Sequence, residues 1–176
     1  SIALMSLLLV ALWGARLFVH ITSRNWGKPE DYRYTQLGAL TSSKMWLKVF
    51  YSIFLLQGGL MILISLPVIA IMYSSQEPVQ IIAVAGLAIW LFGIVFEAIG
   101  DYQLRLFSRT KKKGQIMQTG LWRYTRHPNY FGEITTWWGA SIVAIAFGQW
   151  WGILGAFVIT VLITRISGIP LLEKRY

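Results

Sequence analysis

Residues 78–113 read PVQIIAVAGLAIWLFGIVFEAIGDYQLRLFSRTKKK, and this stretch decides the class of fold. No ionisable residue occurs from Pro78 to Phe96. The apolar run reaches to about residue 104, long enough to cross a hydrocarbon layer as a helix, which takes about 20 residues. Pro78 suits the first turn of such a helix, where no backbone N–H is needed. Then Glu97, Asp101, Arg105 and Arg109 follow at strict i, i+4 spacing, so all four share one helical face. Ionisable residues in an apolar helix are costly and are functional candidates. The same spacing also suits a self-paired stripe, Glu97–Asp101–Arg105, at a helix end.

Four more apolar runs flank this one, at about 2–22, 46–73, 129–147 and 149–173. Pro67 is expected to kink or end the second. The first resembles a signal peptide in length but lacks a basic start and a small-residue cleavage site, so it reads as a membrane helix. The expectation is an all-α fold, a polytopic transmembrane helix bundle of about five spans forming a single membrane domain over 1–176. The start at Ser1 and the stop at LLEKRY suggest a fragment lacking N-terminal helices and a C-terminal tail.

Composition agrees. The 176 residues are 56% hydrophobic and 13% charged, against about a quarter charged in soluble domains, and the mean hydropathy is +0.56. The absence of Cys excludes disulfides and thiolate metal sites. Two histidines, His20 and His127, are too few for a histidine metal cluster, and no metal is expected. The net charge of +9 does not point to nucleic acid, because the cations are confined to loops between apolar runs. Residues 23–48 hold Arg24, Lys28, Arg33, Lys44 and Lys48; residues 105–126 hold Arg105, Arg109, Lys111, Lys112, Lys113, Arg123 and Arg126. The tail has Lys174 and Arg175, while the connections near 74–77 and 147–149 have no Lys or Arg. The positive-inside rule puts both basic loops and the C-terminus on the cytoplasmic side, as an odd number of spans requires with residue 1 opposite.

The densest polar chemistry lies at 120–133, GLWRYTRHPNYFGE. Pro128 fits a first helical position. Beyond it Asn129, Glu133 and Trp137 are four apart and share a face. A cap with an interfacial aromatic belt would account for the tryptophans, but not for Glu133, one turn inside the apolar run. Arg16 is ionisable within the first span. Arg165 and Glu173 lie two turns apart in the last, able to pair with each other, with Gly168 and Pro170 between them marking a kink or close approach. Many Arg and Lys with few acids attract a polyanion, and Arg forks onto phosphate oxygens. Lipid headgroups, a nucleotide cofactor and a phosphorylated substrate all fit. Neither GxGxxG nor GxxxxGK[ST] occurs, so a nucleotide would sit between helices.

The segments GLWRYTRHPNYFGEITTWWG, RISGIPLLEKRY, GDYQLRLF and EDYRY together resemble the DUF1295 integral membrane family, related to the C-terminal domain of steroid 5-alpha-reductases. The match covers nearly the whole chain. The RHPNYxGE motif belongs to a wider superfamily with sterol reductases and isoprenylcysteine carboxyl methyltransferases. The resemblance implies NADP(H) in a cytoplasm-facing cavity between the last helices, hydrogen-bonded by Asn129, Glu133 and Trp137. It implies like roles for Asp101 of the D-x-Q segment, Arg109, Arg165 and Lys28 of Gly27-Lys28-Pro29. Arg105, Arg123, Arg126, Tyr130 and Glu173 complete the candidate cofactor-binding set. Basic residues suit the 2′-phosphate of NADPH.

The implied chemistry is hydride transfer to an activated double bond of a steroid- or lipid-like substrate. One position departs from the family. Characterised steroid reductases carry Tyr one turn before the first-span arginine, where this chain has Trp13, and an indole is no useful acid. No catalytic residue is therefore assigned. Two alternatives remain open: a non-catalytic membrane subunit that keeps the fold with a bound nucleotide or lipid, and an S-adenosylmethionine-dependent membrane methyltransferase. The expected partners are membrane lipids and a lipid-like small molecule, with no nucleic acid; the nine tryptophans could also pack against a membrane protein partner.

Overall fold

The computed structural model of the chain describes residues 2–27, 47, 50–112 and 114–173. Among these residues the regular structure is helical. Helix α1 spans Ile2–Asn25. A π-helical turn at Phe50–Leu55 leads into α2, Leu56–Ile64, and α3, Leu66–Met72. Helix α4 spans Gln80–Thr110 and α5 spans Pro128–Ala146. Then come α6, Ile153–Val161, a π-helical turn at Leu162–Ile166, and the short α7, Ile169–Glu173.

Helices α1 and α4 are long and apolar enough to cross a membrane, and Trp150–Ile166 is a shorter apolar stretch. Their outward faces are oily: Ile81 is 80% exposed and Leu7 63%. A membrane-embedded protein is expected to show such faces, because lipid tails are as apolar as Leu. The expected run 46–73 is not one helix. It breaks at Ser65, because Pro67, at the second position of α3, has no N–H and its ring would clash with the carbonyl of residue 63. The last run breaks as well, after Ile166, where Gly168 lies against the backbone of Ile163. By contrast, α4 outlasts its expected end at 104 by six residues, and Arg109 in its last turn suits the negative end of the helix dipole. Pro78 precedes α4 rather than opening it, since Val79 is the N-cap.

The antiparallel pair α4 and α5 forms the heart of the fold. Gly86, Gly93 and Gly100 repeat every seven residues along α4, and Gly132 and Gly139 along α5. A seven-residue period keeps one seam facing the partner helix. A Cβ at Gly93 would stand 2.5 Å from the Thr136 backbone nitrogen, and one at Gly132 would stand 2.6 Å from that of Glu97. The two backbones therefore touch, the close approach that small residues permit between membrane helices. At the far end of the pair the Val79 N–H donates to the Ala146 carbonyl at 2.9 Å, and Ser74 Oγ donates to the Phe147 carbonyl at 2.9 Å.

Around this pair one apolar cluster joins Leu9 of α1, Ile71 of α3, Trp90 of α4 and Val143 of α5. A second joins Val68, Trp137, Ala156, Ile159 and Ile163. Gly155 lets α6 pass the α2–α3 break, since a Cβ there would lie 2.5 Å from the Ile64 carbonyl and from Pro67 Cδ.

Candidate functional site

Where α1 crosses the glycine seam, polar side chains from three helices meet. Trp13, Arg16 and His20 are spaced three and four apart, so they share a face of α1. Arg16 reaches across to α4, with Nη2 2.7 Å from Glu97 Oε1 and Nη1 3.2 Å from Asp101 Oδ2. It also reaches α5, with Nη2 3.5 Å from Glu133 Oε2. His20 Nδ1 lies 3.2 Å from the same Asp101 oxygen. The side chains of Arg16, Glu97, Asp101 and Glu133 are 12%, 9%, 10% and 14% exposed.

Glu133 is held from two further directions. Trp13 Nε1 donates to its two carboxylate oxygens at 3.1 and 3.2 Å, and Trp137 Nε1 donates to Oε1 at 3.0 Å. The two indoles meet edge to face, with ring centroids 5.2 Å apart. Trp13, which supplies no acid, thus fixes the carboxylate of Glu133.

The approach to α5 is anchored by residues of the GLWR and D-x-Q motifs. Gln103 Oε1 accepts from the Leu121 N–H at 2.9 Å, and Trp122 Nε1 donates to the Gly100 carbonyl at 3.0 Å. Gly120 takes a positive φ of 60°, and a side chain there would strike Gln103. His127 stands just before the first turn of α5, its ring 5.5 Å from that of Tyr130 and its Nε2 3.7 Å from Glu173 Oε1.

Several buried atoms of this region have no hydrogen-bond partner: Glu97 Oε2, Arg16 Nε, Asn129 Oδ1 and His127 Nε2. They offer a carboxylate oxygen, a guanidine N–H, an amide oxygen and an imidazole nitrogen. Beside the indole pair lies a pocket of about 10 Å³ lined by Trp13, Thr136, Trp137 and Ala140, room for about one water. It shares Leu9 and Trp90 with an open groove of about 440 Å³ between α1 and α4, walled by Leu4, Leu8, Leu12 and Leu87.

Of the expected site residues, Asp101, Glu133 and Trp137 belong to the buried cluster, and Asn129 and Tyr130 lie half-buried near the start of α5. Arg109, Arg123 and Arg165 stay exposed outside it. Arg105 is exposed as well, donating to Ser23 Oγ at 3.1 Å and lying 5.7 Å over the Tyr102 ring. Lys28 lies outside the described residues. Two local pairings read from spacing are replaced. Glu97 and Asp101 turn to Arg16 of another helix rather than to Arg105. Glu173 meets Arg126 at 3.4 Å rather than Arg165, because the break after Ile166 turns α7 away from the register of α6. Arg16, His20, Glu97 and Trp13 were outside the expected cofactor set. Their signal was present, as three ionisable residues inside apolar runs, two of them one turn apart on α1.

The chain matches the family described as "Protein of unknown function (DUF1295)" over residues 2–176, and it belongs to that family. It is similar to 3-oxo-5-alpha-steroid 4-dehydrogenase 1 of Bos taurus, 32% identical over 81 residues, which is 46% of this chain and 31% of the relative. The proteins of the same name from Rattus norvegicus and Mus musculus are each 32% identical over 85 residues, covering 30% and 31% of the relative. The matched part is thus under a third of the relatives' length. No solved structure matches.

Proposed function

We propose that this DUF1295 chain is an NADPH-dependent membrane reductase acting on an activated double bond of a steroid- or lipid-like substrate, and that the Arg16 cluster receives the nicotinamide end of the cofactor. The observation that carries this reading is the set of unpartnered buried atoms. A primary carboxamide has an NH₂ that can donate to Glu97 Oε2 and Asn129 Oδ1, and a carbonyl that can accept from Arg16 Nε. Leaving such atoms unpaired is costly, which favours a ligand that completes them. The residues present therefore fit the group.

Charge supports the orientation. Phosphates are attracted by the exposed Arg109, Lys111, Lys112 and Arg123, away from the buried acidic cluster. When bound, the reduced cofactor supplies a hydride. The chain's own side chains orient and exclude water: Trp13 and Trp137 hold Glu133, and their packed rings close the floor of the cluster. The leucine-walled groove, continuous with the indole pair through Leu9 and Trp90, is the seat we assign to the apolar substrate. We also propose five membrane segments with the basic loops cytoplasmic. Exposed Tyr73 and Trp150 on one side, opposite Trp26 and Tyr124, suit two interfacial belts.

The test is NADPH binding to the purified protein by titration calorimetry. We expect saturable binding that weakens about tenfold in Asn129→Ala, the loss of one buried hydrogen bond to the carboxamide. No binding at about millimolar NADPH, a free energy near −4 kcal/mol, would end this reading.

A further inference from the structure

The polar cluster gathers more acid than its cation can neutralise. The carboxyl groups of Glu97, Asp101 and Glu133 all come within 3.5 Å of the Arg16 guanidinium. Carboxyl groups crowded in this way cannot all ionise, and the set keeps a proton, as two carboxylates sharing one site do. The three are not equally supplied with donors, and a hydrogen bond donated to a carboxylate favours its charged form. Asp101 meets both Arg16 and His20, each at 3.2 Å. Glu133 accepts from the indoles of Trp13 and Trp137 and faces Arg16 Nη2. Among the described residues Glu97 meets a donor only at Oε1, from that same Nη2, and its buried Oε2 has no hydrogen-bond partner. The proton therefore belongs on Glu97 Oε2.

From this arrangement we infer that Glu97 is the catalytic acid of the chain, giving the proton on Oε2 to the substrate and so filling the part that Trp13 leaves open. The inference rests on the reductase reading above. Trp90 and Glu97 are seven residues apart and share a face of α4, about 10 Å apart along its axis. Trp90 walls the leucine groove, so an apolar substrate lying along that face brings its reacting end to Glu97. On an enone, the hydride that the reduced cofactor supplies forms a C–H bond at the β-carbon. The π pair moves to the α-carbon, which takes the proton from Oε2, and the O–H electron pair stays on the carboxylate. Oε2 keeps a lone pair for the carboxamide while its O–H serves the substrate. The negative charge then appears 2.7 Å from Arg16 Nη2, a cation placed in advance where charge develops. Asp101, one turn further along α4, meets part-exposed His20, and this pair leads from solvent back to Glu97 for the next proton.

The experiment compares the purified protein with Glu97→Gln, which keeps the shape and an oxygen for Arg16 but has no acidic proton. Infrared spectroscopy of the unliganded protein at neutral pH, in water and in heavy water, reads the carbonyl stretch of a protonated carboxyl group. We expect that band in the native protein and its loss in Glu97→Gln. Oxidation of bound NADPH by cholest-4-en-3-one, an apolar-tailed enone, should slow about a hundredfold or more in the variant, the scale of a general acid. NADPH affinity should fall by no more than about tenfold, the scale of one hydrogen bond. Should Glu97→Gln fail to fold, Glu97→Asp keeps an acid there and must shift the band. No band in the native protein, a band left in place by either variant, an enone left unreduced by the native protein, or Glu97→Gln reducing it at the native rate would each overturn the inference. NADPH binding that persists beside any of these leaves the dinucleotide reading intact, whereas its absence from the native protein would overturn both.

Discussion

Replacing Arg16 by Ala tests the cluster most directly. The guanidinium is 12% exposed and contacts Glu97 at 2.7 Å, Asp101 at 3.2 Å and Glu133 at 3.5 Å. Its loss leaves three carboxylates gathered without a cation, and breaking one buried pair typically costs about 3–5 kcal/mol. The three contacts are not additive, because they share one group. A cost of about 4–5 kcal/mol is expected, against a total stability of roughly 5–15 kcal/mol for a whole protein. At roughly 2–4 °C per kcal/mol for a chain of this size, the thermal midpoint in detergent should fall by about 10 °C or more. Adding Glu97→Gln to Arg16→Ala should recover part of the loss, with a coupling of about 0.5–3 kcal/mol. The readout is unfolding followed by tryptophan fluorescence and circular dichroism. A midpoint within about 3 °C of the native protein, a cost near 1 kcal/mol, would refute the idea that Arg16 neutralises this cluster.

Two further outcomes follow from the packing. Gly93→Leu should prevent the α4–α5 approach and abolish folding or recovery from the membrane, since even a Cβ would stand 2.5 Å from Thr136. Gly59→Ala, in α2 with nothing within 4 Å, should instead raise stability by about 0.5–1 kcal/mol through helix propensity; both are read by size-exclusion profile and thermal midpoint. Trp13→Phe keeps a ring beside Trp137 but removes the donor to Glu133, so stability should fall by about 1.5–3 kcal/mol, the scale of a hydrogen bond to a charged group. An unchanged midpoint would mean that Trp13 contributes packing alone.

Much of this organisation was legible in the chain itself. Apolar runs and the proline at 67 announce helices and their break, because helix formation and its failure at proline depend on neighbours a few residues away. The face shared by Asn129, Glu133 and Trp137 follows from the 3.6-residue turn, and the indole of Trp137 does reach Glu133 along it. The family likeness also lay in contiguous motifs, and the match over residues 2–176 bears out that membership. The groove between α1 and α4 was not legible, since its leucines look like any others on an apolar helix.

What the sequence determined by itself was therefore local: an all-helical chain, where its helices weaken, and which ionisable residues an apolar setting makes conspicuous. The partners were decided by tertiary structure. By spacing alone Asp101 could pair with Arg105, four residues on, yet its partner is Arg16, 85 residues away. Trp13 and Glu133 meet across 120 residues. Periodicity assigns a side chain to a face and says nothing of what that face will meet. The meeting depends on the glycine seam, which lets two backbones touch and so presents Glu97, Asp101 and Glu133 together to a single arginine on a third helix.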